Sequence, residues 1–120
     1  MKRSLRILLV EDHADTQHVM SRLLQSCRHD VKAASSIASA LALASQHPFD
    51  LVISDLGLPD GSGAAMMGQL RNQYNIPGIA VSGYSAHEIQ ASERSGFAAH
   101  LIKPITMEQL ERAIQTTIGE

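Results

Sequence analysis

Three carboxylates, a lysine and a serine each stand directly after a short apolar run. Glu11 and Asp12 follow Ile7-Leu8-Leu9-Val10, and Asp55 follows Leu51-Val52-Ile53-Ser54. Ser82 follows Ile79-Ala80-Val81, and Lys103 follows the run from Ala98 to Ile102. If these runs are strands of one parallel sheet, the five residues share the edge made by the strands' carboxyl ends. In open α/β sheets that edge is where ligands bind. Three clustered carboxylates repel one another, so such a site either raises a pKa or binds a cation. Oxygen ligands without His or Cys beside them favour Mg²⁺ over zinc or copper, and Mg²⁺ shares its shell with water and phosphate oxygens. A carboxylate can attack phosphorus and form an aspartyl phosphate. The charge on the transferring group is then offset by a metal, an ammonium and a hydroxyl. Asp55, Glu11 with Asp12, Lys103 and Ser82 supply those parts, which makes a phosphoryl-transfer site centred on Asp55.

The elements that must position these residues follow from alternating patterns. Ile7 to Val10 predicts the first strand. A helix follows from about Ala14 to Cys27, with Val19, Leu23 and Leu24 at helical spacing and Met20 and Cys27 flanking them. Val31 to Ala34 is a weaker second strand. Ser36 predicts the N-cap of a helix carrying Ile37, Leu41 and Ala44, which stops before Pro48. The third strand ends at Asp55, and a Pro-Asp-Gly turn follows it. Residues Ser62 to Tyr74 predict the next helix, with Met66, Met67 and Leu70 inward. Pro77 to Val81 predicts the fourth strand. Ser85 predicts the cap of a polar helix from Ala86 to about Arg94, closed by Gly96. Ala98 to Ile102 is the fifth strand. The last helix puts Leu110, Ala113, Ile114 and Ile118 on one face, and Thr106-Met107-Glu108-Gln109 forms a capping box ahead of it.

Five strands alternating with five helices imply an α/β fold of three layers, a parallel sheet covered on both faces. The doubly wound order 2-1-3-4-5 is the common one at this size. The expectation is a single domain over residues 1–120, without linker, repeat or low-complexity segment. Apolar content of 44 % and charged content of 18 % argue against disorder, and a net charge of −2 gives no basic footprint for nucleic acid. No apolar run is long enough to predict a membrane span, and the basic start with four apolar residues does not form a secretory signal. A lone Cys27 excludes an internal disulfide and fits a reducing compartment, so the cytoplasm is expected.

Four motifs in this order carry a family resemblance across nearly the whole chain. They are Ile7-Leu8-Leu9-Val10-Glu11-Asp12, Ser54-Asp55-Leu56-Gly57-Leu58-Pro59-Asp60-Gly61-Ser62-Gly63, Ala80-Val81-Ser82-Gly83-Tyr84, and Gly96-Phe97-Ala98-Ala99-His100-Leu101-Ile102-Lys103-Pro104. The chain resembles a response-regulator receiver domain of two-component signalling, with the CheY-like, flavodoxin-like (βα)5 fold. The resemblance implies that a histidine kinase or histidine phosphotransfer protein phosphorylates Asp55. It implies Asp12 as a direct Mg²⁺ ligand and Glu11 as a ligand through water, with Asp55 and the backbone carbonyl of Gly57 completing the protein's share. Ser82 and Lys103 would contact the phosphoryl oxygens. The Lys103-Pro104 bond is often cis in the family. A downstream protein would read the response on the fourth helix, fifth strand and fifth helix. Neither nucleic acid nor membrane contact is implied for this domain. The third and fourth motifs are more similar to receivers of hybrid sensor kinases than to free-standing regulators, so a larger parent chain, which could tether the domain to a membrane, is favoured over a single-domain regulator working by contact alone.

Some positions depart from the commonest pattern. His100 stands where many members have the Tyr or Phe that acts as the rotameric switch, and an imidazole there would make switching sensitive to pH. Gly57 offers no side chain to position a hydrolytic water, and Tyr84 is bulky enough to shield a phosphoryl group, so both are expected to lengthen its lifetime. Taken singly, Glu11 and Asp12 read as helix-capping acids, and Asp60 as turn chemistry. The six His residues show no zinc spacing and read as surface groups, while Cys27 reads as a small buried hydrophobe. Gly61-Ser62-Gly63 is half of a dinucleotide-loop fingerprint with Met66 in place of the third Gly, which does not predict nucleotide binding. Two rivals remain. An aspartyl-phosphate phosphatase would want an Asp where Gly57 stands. An unphosphorylated pseudo-receiver, acting as a protein-interaction module, would be expected to lack Asp55, Asp12 or Lys103. The domain is therefore not read as an ordinary enzyme, since it promotes only its own phosphorylation and dephosphorylation.

Overall fold

The computed structural model describes residues 4–83 and 96–119. In chain order the elements are β1 (Arg6–Val10), α1 (Ala14–Ser26), β2 (Asp30–Ala34), α2 (Ile37–Gln46) and β3 (Leu51–Asp55). They continue as β4 (Gly57–Leu58), β5 (Gly61–Ser62), α3 (Gly63–Tyr74), β6 (Gly78–Ser82), β7 (Ala99–Ile102) and α4 (Met107–Ile118). Five parallel strands form one sheet in the order β2-β1-β3-β6-β7, which is 2-1-3-4-5 when only these strands are counted. The fold class and strand order agree with the sequence reading. The antiparallel β4–β5 ladder was not expected; its two-residue strands fold the Asp55 turn back on itself. The helix expected over residues 86–94 and its Ser85 cap lie outside the described residues.

The apolar runs follow from burial on both faces of the sheet. Ile7, Leu8, Leu9 and Val10 are all buried, and period-two alternation sends them to opposite sides. Leu8 and Val10 join Val52, Met66, Met67 and Leu70 in a core under α2 and α3. Ile7 and Leu9 join Ile53, Met20, Leu24 and Leu110 in a second core under α1 and α4. The inward face of α1 is centred on Met20 and Leu24, not on Val19, whose side is turned outward at 55 % exposure. The reason is the i, i+4 pair at 20 and 24, which sits squarely over β1, so that Val19 falls on the flank. Cys27 is also not buried: it is half-buried, with Sγ 2.8 Å from Glu111 Oε1. His29 departs from the surface reading too, because its Nδ1 accepts from the Leu5 amide at 3.0 Å.

The caps predicted at Ser36 and Thr106 form. Ser36 Oγ accepts from the Ser39 amide, Thr106 Oγ1 accepts from the Gln109 amide, and each N3 side chain reaches back to the cap amide. Asp60 does more than turn the chain. Its two oxygens accept from the amides of Ile37 at 2.8 Å and Ala38 at 3.0 Å, clamping the β3–α3 connection onto the first turn of α2. Those amides, Ile37's first, hold the Asp60 carboxyl below its usual range. A carboxylate depressed on folding stabilises the fold above its unfolded pKa, and the contribution is lost as pH falls through the folded value. Asp60→Ala should therefore melt below wild type at pH 7. The gap should begin to narrow below about pH 4, where the free carboxyl takes up its proton, and close once pH passes the lower folded value. An equal gap in thermal melts at pH 7 and pH 3 would sink this assignment.

Candidate functional site

Strand register brings the chemistry to one edge. Val10 pairs with Ser54, Asp55 with Val81, and Ser82 with Ile102, so the next residues on β1 and β7 are Glu11 and Lys103. The Glu11 amide bonds to the Ala34 carbonyl at 3.0 Å and the Lys103 amide to the Ser82 carbonyl at 2.8 Å, extending the ladders by one rung. Ligand atoms of Glu11, Asp12 and Asp55 all lie within 4.8 Å of one another. Lys103 Nζ lies between two of them, 2.8 Å from Glu11 Oε1 and 3.1 Å from Asp55 Oδ2. The other Asp55 oxygen accepts from the Gly57 amide at 3.2 Å, and the other Glu11 oxygen from the His13 amide at 3.2 Å. The Lys103-Pro104 peptide bond is cis.

Burial sets the electrostatics. Glu11 is only 2 % exposed, and burial pushes its carboxyl pKa up against the hydrogen bonds from Lys103 and the His13 amide. Burial alone would lower Lys103, but its hydrogen bonds to Glu11 and Asp55 outweigh that and raise it. With all four groups charged, three carboxylates and one ammonium sum to −3 + 1 = −2. An excess of two negative charges on hard oxygen donors suits a divalent cation such as Mg²⁺, so the donor set fits the metal expected from the sequence.

The Asp55 backbone is as closely held as its side chain. Ser54 is fully buried and donates from Oγ to the Asp55 carbonyl at 2.7 Å. The Gly63 amide bonds to the Leu56 carbonyl at 2.8 Å, and a Cβ on Gly63 would fall 2.3 Å from the Asp55 carbonyl oxygen. Ser82 stands on the same edge, yet its hydroxyl engages His100 Nε2 at 2.7 Å and the Gly83 carbonyl at 3.0 Å. Among the described residues, a Cβ on Gly57 would meet nothing within 4 Å. Tyr84 lies outside the described residues. The sequence reading missed Gln17, whose Nε2 lies 2.8 Å from the Glu11 carbonyl, 3.3 Å from that of Ala34 and 3.2 Å from Ser35 Oγ. It fastens the ends of β1 and β2 together, and a polar residue inside a helix gives no signal of such a role.

A three-layer doubly wound domain with carboxylates, a lysine and a serine on the carboxyl edge of its sheet is the architecture of a signalling receiver. Comparison with known proteins agrees: the response regulator receiver domain model matches residues 7–115, and the chain belongs to that family. It is 30 % identical over 117 residues to the two-component response regulator ORR21 of Oryza sativa, covering 95 % of this chain and 17 % of the relative. It is 34 % identical over 111 residues to the sensor protein TorS of Escherichia coli, covering 88 % of this chain and 12 % of that protein. The chain thus spans less than a fifth of these relatives. Among solved structures it is similar to the receiver domain of the sensor histidine kinase PA1611 of Pseudomonas aeruginosa. That match has 27 % identity and a TM-score of 0.88, and it covers 98 % of this chain and all of that one. The Pseudomonas domain carries a magnesium ion coordinated in its active-site cleft. No helix among the described residues is long and apolar enough to cross a membrane.

Proposed function

We propose that this chain is a phosphoacceptor in a two-component phosphorelay, receiving a phosphoryl group on Asp55 from a phosphohistidine of a histidine kinase or phosphotransfer protein. One observation carries the reading: the Asp55 carboxylate, 15 % exposed, is held by Lys103 and the Gly57 amide within a cluster of acidic oxygens. An Asp55 oxygen forms the new O–P bond as the donor's N–P bond breaks, and the donor imidazole keeps the electron pair and takes up a proton. Lys103 offsets charge on the phosphoryl oxygens, and the Ser82 hydroxyl donates to one of them. Asp12, Asp55, the Gly57 carbonyl and, through water, Glu11 would hold Mg²⁺. Bound there, Mg²⁺ neutralises charge on the phosphoryl group.

The domain would act as one unit over residues 1–120, without turning over an external substrate. A groove of about 500 Å³ between α1 and α4, lined by Val19, Met20, Leu23, Pro104, Ile105 and Leu110, opens beside Lys103 and offers the donor protein an apolar seat. The response would be read by a downstream protein on the face carrying β7 and α4, together with the fourth helix of the sequence reading. Gly57, which offers no side chain, would leave a hydrolytic water unpositioned and lengthen the phosphoryl lifetime. The setting would be the cytoplasm, with tethering through a longer parent chain.

The test is incubation of the protein with acetyl phosphate, with and without Mg²⁺, read by intact mass. Borohydride reduction and peptide mapping then locate any aspartyl phosphate. The expected result is one added phosphoryl group, dependent on Mg²⁺ and mapped to Asp55. No gain in mass under either condition would replace this reading with the pseudo-receiver, a protein-interaction module that is never phosphorylated.

A further inference from the structure

One assignment of protons makes hydrogen bonds of both contacts of the Ser82 hydroxyl. A serine hydroxyl has one proton to give and lone pairs to accept with. Ser82 Oγ lies 3.0 Å from the Gly83 carbonyl oxygen, which can only accept, so the hydroxyl proton goes there. The second neighbour, His100 Nε2 at 2.7 Å, must then be the donor, which puts a proton on Nε2. The strands fix this geometry. Ala80 pairs with His100 and Ser82 with Ile102 on adjacent parallel strands, so the imidazole and the hydroxyl come together across one step of register. Ser82 is 2 % exposed, and little water competes for its hydroxyl.

We infer that His100 is a positioning residue that acts through Ser82, donating from Nε2 to the hydroxyl so that its single proton stays available to an oxygen bound on Asp55. This inference rests on the phosphoacceptor reading above. With this assignment the Ser82 proton points to the Gly83 carbonyl at rest. When an anionic oxygen is placed on Asp55, the hydroxyl rotates its proton to that stronger acceptor while its lone pair remains bonded to His100. The chain His100 Nε2–H to Ser82 Oγ–H to oxyanion is polarised in one direction, and each bond strengthens the next. With the opposite tautomer the imidazole would take the serine proton, and Ser82 would have to break that bond before serving the site. A Tyr or Phe at position 100 could not hold the hydroxyl in this way from a ring nitrogen.

The test compares wild type, His100→Leu, His100→Gln, Ser82→Ala and the Ser82→Ala/His100→Leu double variant. Each is checked by thermal melting and assayed for phosphorylation by acetyl phosphate in Mg²⁺. Losing a hydrogen bond on the path to a charged acceptor should slow His100→Leu by about tenfold. His100→Gln keeps an amide donor near the same place and should recover most of the rate. In the double variant the His100 change should add nothing to the Ser82→Ala loss, whereas a merely structural role would lower the rate further. Imidazole ¹⁵N shifts should report a protonated Nε2 in wild type near pH 7.5. An unprotonated Nε2, an unchanged rate in His100→Leu, or additive losses in the double variant would overturn the inference and leave the phosphoacceptor reading standing. No phosphorylation of wild type would overturn both.

Discussion

Asp55→Asn should gain no phosphoryl group from acetyl phosphate under conditions where wild type is expected to gain one. The carboxamide is nearly isosteric and can still accept from the Gly57 amide, which spans 3.2 Å in the native chain. What it lacks is the anionic oxygen that would attack phosphorus in the proposed transfer. Two other carboxylates lie within 4.8 Å, so the substitution also asks whether either can take over. Glu11 is buried and committed to Lys103 at 2.8 Å, which leaves it poorly placed for attack. Asp12 is exposed and is the only competitor in the cluster. A residual gain in Asp55→Asn, mapped to Asp12, would show that the acceptor had been misassigned. Stability gives a second readout. Mg²⁺ that binds only the folded chain raises its melting temperature by mass action, and removing one ligand and one charge should shrink that rise. Without Mg²⁺ the variant should melt close to wild type, because loss of the Asp55–Lys103 attraction is offset by relief of the repulsion between Asp55 and Glu11.

Gly63→Ala damages the same site from behind. The added Cβ would fall 2.3 Å from the Asp55 carbonyl oxygen, 3.1 Å from Leu56 Cα and 3.3 Å from the Asp55 carbonyl carbon, all of them backbone atoms. None can swing aside as a side chain does. The Asp55 carbonyl is also pinned by Ser54 Oγ, and Gly63 by its own amide bond to Leu56. Alanine's better helix propensity at the start of α3 returns at most about 1 kcal/mol. Forced backbone displacement costs more, and the net loss should be about 3 kcal/mol. For a domain this size that lowers the melting temperature by roughly 10 °C. Gly57→Ala, where a Cβ meets nothing within 4 Å among the described residues, is the stability control and should melt within about 2 °C of wild type. Equal melting of Gly63→Ala and wild type would mean that the β3–α3 connection is looser than described.

The strands and the strand-end cluster were legible because each rests on a local signal, and the sheet order because few arrangements suit alternating strands and helices at this size. Apolar runs of three to five residues marked the strands, and the residue after each run could be read directly. Ser36 and Thr106 announced their helices through side chains that reach only three residues ahead. What was not legible depends on residues far apart in sequence. Asp60 looked like turn chemistry because its partners, the amides of Ile37 and Ala38, belong to another element. Val19 fitted the apolar stripe of α1, and only the docking angle of the helix decides that Met20 and Leu24 face inward instead. The Ser82–His100 bond needed the register of β6 against β7, which no spacing within the chain reveals. Gln17 gave no signal at all.

Lys103 already lies between Glu11 and Asp55, so the site is never without a cation of its own. Entry of a metal is therefore an exchange in which the ammonium must loosen at least one of two carboxylate bonds. A monovalent ion would replace one positive charge by another and gain little for the bonds disturbed. A divalent ion brings a surplus, and that surplus matches the two negative charges the four groups leave uncompensated. The resting ion pairs would thus favour a divalent ion over a monovalent one, because only the divalent ion offsets the charge that the tethered ammonium leaves.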